Sequence, residues 1–304
     1  MDDVKVFLRY VFQTKNNLTI AVQTSGNGGN ETILTNLLDP GDKLVVAVGG
    51  TWGEKVVDMA ERHNLDTLVL RKGLGEIYTL EELEAAITQH KANMLFVTHG
   101  ESTGGTLQVL EGVGDMCHKH NCLLAVDAIV SIASDPLFVD RKRMLGKKTP
   151  TPYYFDVKRL AVYWGCTEEN RTFHYTFSSN MLAAVREALA QVCEEGLLTM
   201  WERHKKNARL FWKKLDEIGM ECFVEKIENR FNGVTGVKIP KGTDQMEFLH
   251  FLKTKYAIDI TPGHGPTLGK AMRVGLMGQN SRPEVVEYLI EALKDGLKHF
   301  GHTL

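Results

Sequence analysis

Short apolar runs alternate with helix-like segments from residue 19 to about residue 135 of the chain. The apolar runs predict buried strands at residues 19–22, 43–48, 66–70, 93–97 and 123–126. The segments between them predict helices at residues 30–38, 53–64, 80–90 and 113–120, with a capping box from Thr79 to Glu82. Apolar strands joined through helices form a mostly parallel sheet covered on both faces. We therefore predict an α/β fold with its ligand site beyond the carboxyl ends of the strands.

The C-terminal part has a different pattern. Residues 178–217 predict two long helices, and residues 234–239, 257–260 and 272–275 predict the strands of a small α+β unit. A final helix is predicted to begin at Ser281, which forms a capping box with Glu284 and has Pro283 in the first turn. We place a large domain at residues 1–165 and a smaller C-terminal domain at residues 166–304.

Composition excludes several classes of function. The chain has 36 Lys and Arg against 38 Asp and Glu, and a net charge of −2, which argues against a broad basic surface for nucleic acid or anionic membrane. Its longest apolar runs are far shorter than the roughly 20 residues that span a bilayer. Five cysteines, an odd number, fit a reducing compartment better than a disulfide scaffold. We expect an intracellular enzyme with no nucleic-acid or membrane partner.

A glycine-rich segment at residues 24–30 follows a predicted strand and opens a predicted helix. Free backbone N–H groups at a helix N-terminus, with small residues that allow close approach, suit a phosphate group. An ordinary glycine-rich turn is the alternative. The segment is not a dinucleotide-binding motif, because Glu31 stands where the third glycine belongs, and residues 264–271 are not a Walker loop.

Three further positions follow predicted strands. Asp127 could pair with a protonated pyridine nitrogen, or it could cap a following helix. Trp52 could stack on a flat cofactor ring, or it could be a packing residue. The loop at residues 98–104 offers hydroxyl groups to the same zone, or it is a polar turn.

Two other candidates lie outside this zone. Arg273, in a C-terminal strand, could clamp a substrate carboxylate, or it could be a surface ion-pair partner. The cluster from Cys117 to Cys122 contains two histidines, but its spacing lacks the paired geometry of structural zinc sites. We therefore predict no metal site.

Several segments, taken together and in order, resemble the class V aminotransferases. They are residues 38–42, 98–102, 107–108, 123–127, 163–166, 186–190, 194–197 and 265–267. Within that family the resemblance is to the alanine–glyoxylate (serine–pyruvate) group and its insect 3-hydroxykynurenine transaminase relatives. It implies a fold-type-I homodimer with pyridoxal 5'-phosphate at the subunit interface. The implied reaction moves an amino group from alanine or serine to glyoxylate, with small amino-acid and 2-oxo-acid substrates.

The resemblance also implies roles for individual residues. Ser25, Gly26 and Asn27 would hold the phosphate, Trp52 would stack on the ring, and Ser102 would support the ring hydroxyl. Asp127 would pair with the pyridine nitrogen, with Ile129 beside it. Thr176 would reach the phosphate of the neighbouring subunit, and Arg273 would bind the carboxylate of the amino acid.

The sequence departs from the family pattern at four places. After Arg141 the family continues into a strand and a Ser-Gly-x-x-Lys loop, whose lysine forms the Schiff base. Here the chain runs through residues 142–148 instead, so the predicted set contains no catalytic lysine, and we expect that Lys142, Lys147 and Lys148 do not replace it. The N-terminal arm with its substrate loop is also expected to be absent. Asn27 replaces a histidine, and Phe173 replaces a phosphate-binding tyrosine.

These departures have consequences for activity and stability. General acid–base assistance is worth about 10²–10⁴ in rate, so we expect very slow transamination. The alternative is a catalytically inactive chain that dimerises with an intact relative. A missing strand is expected to expose a sheet edge and to lower solubility. The family implies a peroxisomal location, with mitochondrial and cytoplasmic alternatives, and residues 302–304 partly resemble the peroxisomal signal.

Overall fold

A computed structural model describes residues 1–139 and 149–302 of the chain. The helices are α1 (Asp2–Val11), α2 (Gly26–Leu37), α3 (Thr51–Arg62), α4 (Leu80–His90), α5 (Val113–Lys119), α6 (Val157–Tyr163), α7 (Ser179–Glu195), α8 (Leu197–Glu217), α9 (Gln245–Tyr256) and α10 (Pro283–His299). The strands are β1 (Lys43–Val48), β2 (Asp66–Arg71), β3 (Met94–Thr98), β4 (Gly100–Glu101), β5 (Thr106–Leu107), β6 (Leu123–Asp127), β7 (Val234–Lys238), β8 (Thr261–Pro262) and β9 (Ala271–Gly275).

The N-terminal sheet is parallel and has the order β2-β1-β3-β6. Alternate residues of β1 face opposite sides, because side chains of a strand alternate. Val45 packs in one core with α4 and α5, whereas Val46 packs in another with α2 and α3. Both faces are therefore covered, and the predicted α/β fold with its mostly parallel sheet is confirmed.

The strand predicted at residues 19–22 is wrong. A strand needs a neighbour that pairs with its backbone, and this segment has none among residues 1–139 and 149–302. Instead, Ile20 and Val22 pack against the buried Trp164. The capping box at the start of α4 is confirmed, since Thr79 accepts from the backbone N–H of Glu82 and the Glu82 carboxylate accepts from that of Thr79.

The C-terminal part contains an antiparallel sheet of order β7-β9-β8, covered by α8, α9 and α10. The strand predicted at residues 257–260 is wrong, because Ala257 takes a left-handed conformation that ends α9 and the short strand β8 starts only at Thr261. The predicted capping box at Ser281 is also wrong. Asn207 donates to the Ser281 hydroxyl group, and the N-cap of α10 is one residue later, at Arg282, with Pro283 as the first helical residue.

Strand β6 lies at the edge of the sheet. Within residues 1–139 and 149–302 it pairs only with β3, and Ile129, just beyond it, is 61% exposed. The exposed sheet edge expected from the sequence stays a prediction, because residues 140–148 lie outside the described residues. The division of the chain at residues 165 and 166 stays a proposal. No helix among the described residues is long and apolar enough to span a bilayer.

Candidate functional site

The N-terminus of α2 is open to an anion. Ser25 occupies the N-cap position, but its side chain makes no capping hydrogen bond, and the first bond of the helix joins the N–H of Gly29 to the carbonyl of Ser25 at 3.0 Å. The N–H groups of the first turn therefore have no partner inside the helix. Ser25, Gly26 and Asn27 are exposed. A Cβ on Gly26 would lie 2.7 Å from Ile129 Cδ1, so glycine permits this close approach.

Asp127 ends β6 and lies beside this helix. Its Oδ2 accepts a hydrogen bond from Asn30 Nδ2 at 3.1 Å, and its Oδ1 accepts from the backbone N–H of Ile129 at 3.0 Å. The residues that follow form turns, so Asp127 does not cap a helix as the alternative had it. A carboxylate fixed by two donors keeps further lone pairs for a cationic ligand.

Trp52 and Ser102 lie together on the other side of the strand ends. Trp52 is in the first turn of α3, and its indole Nε1 donates to Ser102 Oγ at 2.9 Å. The ring centre lies 6.4 Å from that of His264 at an interplanar angle of 23°, and Lys55 Nζ lies 4.8 Å from the ring centre. Trp52 is half-buried, so part of its surface can still cover a ligand.

Glu101 is the functional candidate that sequence reasoning missed. It is 2% exposed and accepts hydrogen bonds from Thr103 N at 2.9 Å, Thr103 Oγ1 at 2.6 Å and Trp52 N at 3.4 Å. Burial raises the pKa of its carboxyl group, the donors from Thr103 and Trp52 oppose that shift, and Asp127 adds to it. The sequence signal was an acidic residue in the polar segment that follows a predicted strand. In the structure this residue lies against the Gly49-Gly50 pair, since a Cβ on Gly50 would lie 2.6 Å from Glu101 Cδ.

Arg273 faces this group from β9. Its Nε donates to the carbonyl of Pro262 at 3.0 Å. Burial lowers the pKa of the guanidinium group, and the carboxylate of Glu101 opposes that shift. Asp127 therefore acts on the pKa of Glu101, and Glu101 acts on the pKa of Arg273.

His99 is hydrogen-bonded to β6 and to the turn that follows it. Its backbone N–H donates to the carbonyl of Asp127 at 2.8 Å, and its Nδ1 lies 2.9 Å from Ser131 Oγ. Burial lowers the pKa of His99 to about 4, so the ring is neutral at physiological pH. We assign it a structural role.

Thr176 lies in a segment whose residues Tyr175 and Ser178 hydrogen-bond to Gln23, two residues before Ser25. It is exposed, as is Phe173, in the segment between α6 and α7. The contact of Thr176 with the phosphate of a neighbouring subunit, which the resemblance implies, stays a prediction. Lys142, Lys147 and Lys148 lie outside the described residues.

The cluster from Cys117 to Cys122, which is predicted not to bind metal, has some side chains buried and others at the surface. Cys117 and Cys122 are buried, whereas His120 Nε2 lies 2.7 Å from Glu84 Oε1 at the surface. No group of three or more His, Cys, Asp or Glu able to hold a metal occurs in the part of the chain that the structure describes.

The arrangement fits a flat, basic ring that carries a phosphate group. The open end of α2 suits the phosphate, the Asp127 carboxylate suits a protonated ring nitrogen, and Trp52 suits a ring face. The hydroxyl groups of Thr51 and Thr98, at the same strand ends, are buried and have no hydrogen-bond partner among the described residues. Buried polar atoms without partners are costly.

Comparison with known proteins gives one consistent result. The model of the family named Aminotransferase class-V matches residues 1–145. An alanine–glyoxylate aminotransferase of Callithrix jacchus is 37% identical, over 98% of this chain and 80% of that protein. The Drosophila melanogaster protein of the same name is 30% identical, over 98% of this chain and 84% of its own length.

Solved structures agree with the sequence comparison. An alanine–glyoxylate aminotransferase from Nostoc sp. has a TM-score of 0.91 and 36% identity, and covers 98% of this chain and 86% of that one. A ureidoglycine–glyoxylate aminotransferase from Bacillus subtilis has a TM-score of 0.90 and 25% identity, over 100% of this chain and 85% of that one.

Proposed function

We propose, because this chain belongs to the class V aminotransferase family, that it uses pyridoxal 5'-phosphate to transfer an amino group from alanine or serine to glyoxylate. The products are glycine and either pyruvate or hydroxypyruvate. The observation that carries the proposal is the meeting of an open helix end, a fixed carboxylate and an aromatic ring at one edge of the sheet. The relatives named as alanine–glyoxylate aminotransferases support the choice of substrates.

Each part of the site has a role in this function. The cofactor, when bound, draws electrons from the Cα–H bond of the amino acid. The first turn of α2, with Ser25, Gly26 and Asn27, holds its phosphate. Asp127 keeps the ring nitrogen protonated, Trp52 covers the ring and excludes water, and the guanidinium group of Arg273 orients the substrate carboxylate.

Proton transfer is the step that the sequence departure affects. The printed sequence contains no Ser-Gly-x-x-Lys motif, so a general base in the family position is not expected. We therefore expect turnover about 10²–10⁴-fold below that of an intact relative. Lys55 lies near the proposed cofactor ring, since its Nζ is 4.8 Å from the Trp52 ring centre. Whether Lys55 reacts with the cofactor can be checked directly.

A homodimer completes the proposed site. The exposed position of Thr176 fits a contact with the phosphate held by the neighbouring copy, and Phe173, 72% exposed, offers an apolar surface to the same interface. The peroxisomal location that the family implies is a proposal of the same kind. Imaging of the tagged full chain in cells tests it.

One experiment tests the proposed function. The purified chain is incubated with pyridoxal phosphate, alanine and glyoxylate, and pyruvate is measured; a parallel sample is reduced with borohydride and mapped by peptide mass. Slow pyruvate formation that requires glyoxylate supports the proposal. Absence of pyruvate together with absence of any pyridoxyl adduct contradicts it. The map also shows whether an adduct lies on Lys55, on a lysine of residues 142–148, or elsewhere.

The second candidate function is a catalytically inactive chain that pairs with an intact relative. The absent lysine motif is the observation that favours it. Co-expression with an intact relative from the same organism tests it by native mass. Heterodimers with half the active sites of the intact homodimer support it, whereas separate homodimers contradict it.

A further inference from the structure

Helix α3 begins without a cap of its own. Its N-cap residue is Gly50, which has no side chain to accept from the N–H groups of the first turn. Those groups find acceptors in a different part of the chain, the loop from Glu101 to Thr103. The N–H of Thr51 donates to Thr103 Oγ1 at 3.2 Å, and the N–H of Trp52 donates to Glu101 Oε2 at 3.4 Å.

The two acceptors are themselves joined. Thr103 Oγ1 donates a hydrogen bond to Glu101 Oε1 at 2.6 Å. The hydrogen of the hydroxyl group therefore points at the carboxylate, and a lone pair of Oγ1 remains to accept from the N–H of Thr51. The residue between them, Ser102, accepts from the Trp52 indole at 2.9 Å. Glu101 therefore holds the backbone of Trp52, Ser102 holds its side chain, and Thr103 holds the backbone of the preceding residue, Thr51.

Close packing makes this contact specific. A Cβ on Gly50 would lie 2.6 Å from Glu101 Cδ, so the carboxyl group fills the space that a side chain at residue 50 would need. Glu101 is 2% exposed and Thr103 is 1% exposed, which keeps water from competing for these hydrogen bonds.

We propose that Glu101 and Thr103 are positioning residues that cap helix α3 from outside and thereby set the plane of Trp52 against its ligand. The consequence for ring binding rests on the proposed cofactor; the consequence for Trp52 itself does not. Loss of either acceptor leaves an N–H group of α3 unpaired and frees the first turn to rotate, and the indole moves with it.

Four variants of the full chain test this: Glu101→Gln, Thr103→Val, Thr103→Ser and Thr106→Val. Thr106→Val is the matched control, because the Thr106 hydroxyl is buried near the same loop and makes no hydrogen bond with the described residues. The first measurement is near-ultraviolet circular dichroism without cofactor, with the Trp52 signal taken by difference from Trp52→Phe. The second is the dissociation constant for pyridoxal phosphate, read from its visible circular dichroism band.

Glu101→Gln and Thr103→Val are expected to lose most of the Trp52 signal and to bind pyridoxal phosphate about tenfold more weakly, as for loss of one buried hydrogen bond to a charged group. Thr103→Ser, which keeps the hydroxyl, restores both, and Thr106→Val changes neither. Wild-type values in Glu101→Gln and Thr103→Val overturn the proposal. Equal losses in Thr103→Val and Thr106→Val overturn it too, because they show a general effect of the loop. If the wild-type chain binds no pyridoxal phosphate, the proposed function fails, and the cofactor-free signal still decides the role of Glu101 and Thr103.

Discussion

Helices α2 and α3 both present their N-termini at the carboxyl edge of the sheet, yet the two ends differ. The first turn of α2 is exposed, and Ser25 leaves it uncapped. The first turn of α3 is closed by Glu101 and Thr103 from a neighbouring loop. The same backbone feature therefore serves two purposes. We propose that the end of α2 binds an anion and that the end of α3 orients an aromatic side chain.

The difference follows from the residues around each end. At α2, Gly26 lets Ile129 approach, and within residues 1–139 and 149–302 no acidic side chain accepts from the first turn. At α3, Gly50 makes room for the Glu101 carboxyl group. The N–H groups of Thr51 and Trp52 already have acceptors in Thr103 and Glu101, so they are not free to bind a phosphate. We therefore expect the two ends to respond in opposite ways to substitution.

The largest effect is expected from Ser25→Asp. Aspartate is a good N-cap, so the melting temperature is expected to stay the same or to rise. Its charge would repel the cofactor phosphate, and we expect affinity for pyridoxal phosphate to fall by about 100-fold, from roughly 3 kcal/mol of repulsion near the protein surface. Titration followed by absorbance, together with a thermal melt, measures both.

Ser25→Asn is the matched control, because it caps equally well without a charge. Its side chain would accept from the N–H groups that the phosphate uses, so we expect a loss of affinity for pyridoxal phosphate that is smaller than in Ser25→Asp. Wild-type affinity in both variants would contradict an anion site at α2.

Gly50→Ala is expected to have the next largest effect, at the closed end. The added Cβ would displace the Glu101 side chain, and overpacking of this kind costs about 1–3 kcal/mol. We expect the free energy of unfolding to fall by about that amount, and binding of pyridoxal phosphate to weaken at least about tenfold, because the Glu101 contact with Trp52 is lost. Gly114→Ala, where a Cβ meets no atom within 4 Å, serves as the control. Unchanged binding in Gly50→Ala would contradict the role given to Glu101.

Asp135→Asn sharpens the comparison with a buried carboxyl group away from both helix ends. Asp135 is 1% exposed, and burial raises its pKa to about 6, opposed by donors from Asn232 and Ser134. Because the folded pKa lies above the unfolded value, the carboxyl group lowers stability as the pH rises from about 4 to 6, and the cost remains above pH 6.

Asp135→Asn is therefore expected to raise the free energy of unfolding by about 1–2 kcal/mol at pH 8 and to leave it unchanged at pH 4. Urea unfolding at the two pH values measures this difference. Glu111→Gln, at an exposed position, is the control and is expected to show no such pH dependence. Equal effects of Asp135→Asn at both pH values would contradict the account.

The sequence predicted the sheet well because its strands are continuous apolar runs, as in β1 and β3, which predict burial without knowledge of a partner. Residues 19–22 are also a short, mostly apolar run, but the strand predicted there is wrong. Strand formation depends on a neighbouring strand that pairs with it, and composition does not reveal that neighbour. Ser281 failed as a cap because Asn207, distant in sequence, hydrogen-bonds to it. Glu101 was missed for the same reason: its role depends on Gly50 and Trp52, about fifty residues earlier in the chain.

For the site residues, the location in the fold was easier to predict from the sequence than the hydrogen-bond partners. Asp127 and Trp52 were found because both follow strands whose ends meet at one edge. That Asn30 fixes Asp127, and that the Trp52 indole donates to Ser102, depends on side-chain geometry that spacing does not encode. Arg273 was singled out from its residue type, and the structure adds that Glu101 lies within its electrostatic range.

The central claim is that the open end of α2 holds the phosphate of a ring cofactor. Parallel titrations of the wild-type chain with pyridoxal phosphate and with pyridoxal, followed by visible circular dichroism, test it most directly. The account predicts an induced band with pyridoxal phosphate and at least about 100-fold weaker binding of pyridoxal, which lacks the charged group. Equal affinity for the two compounds, or no induced band with either, would contradict it.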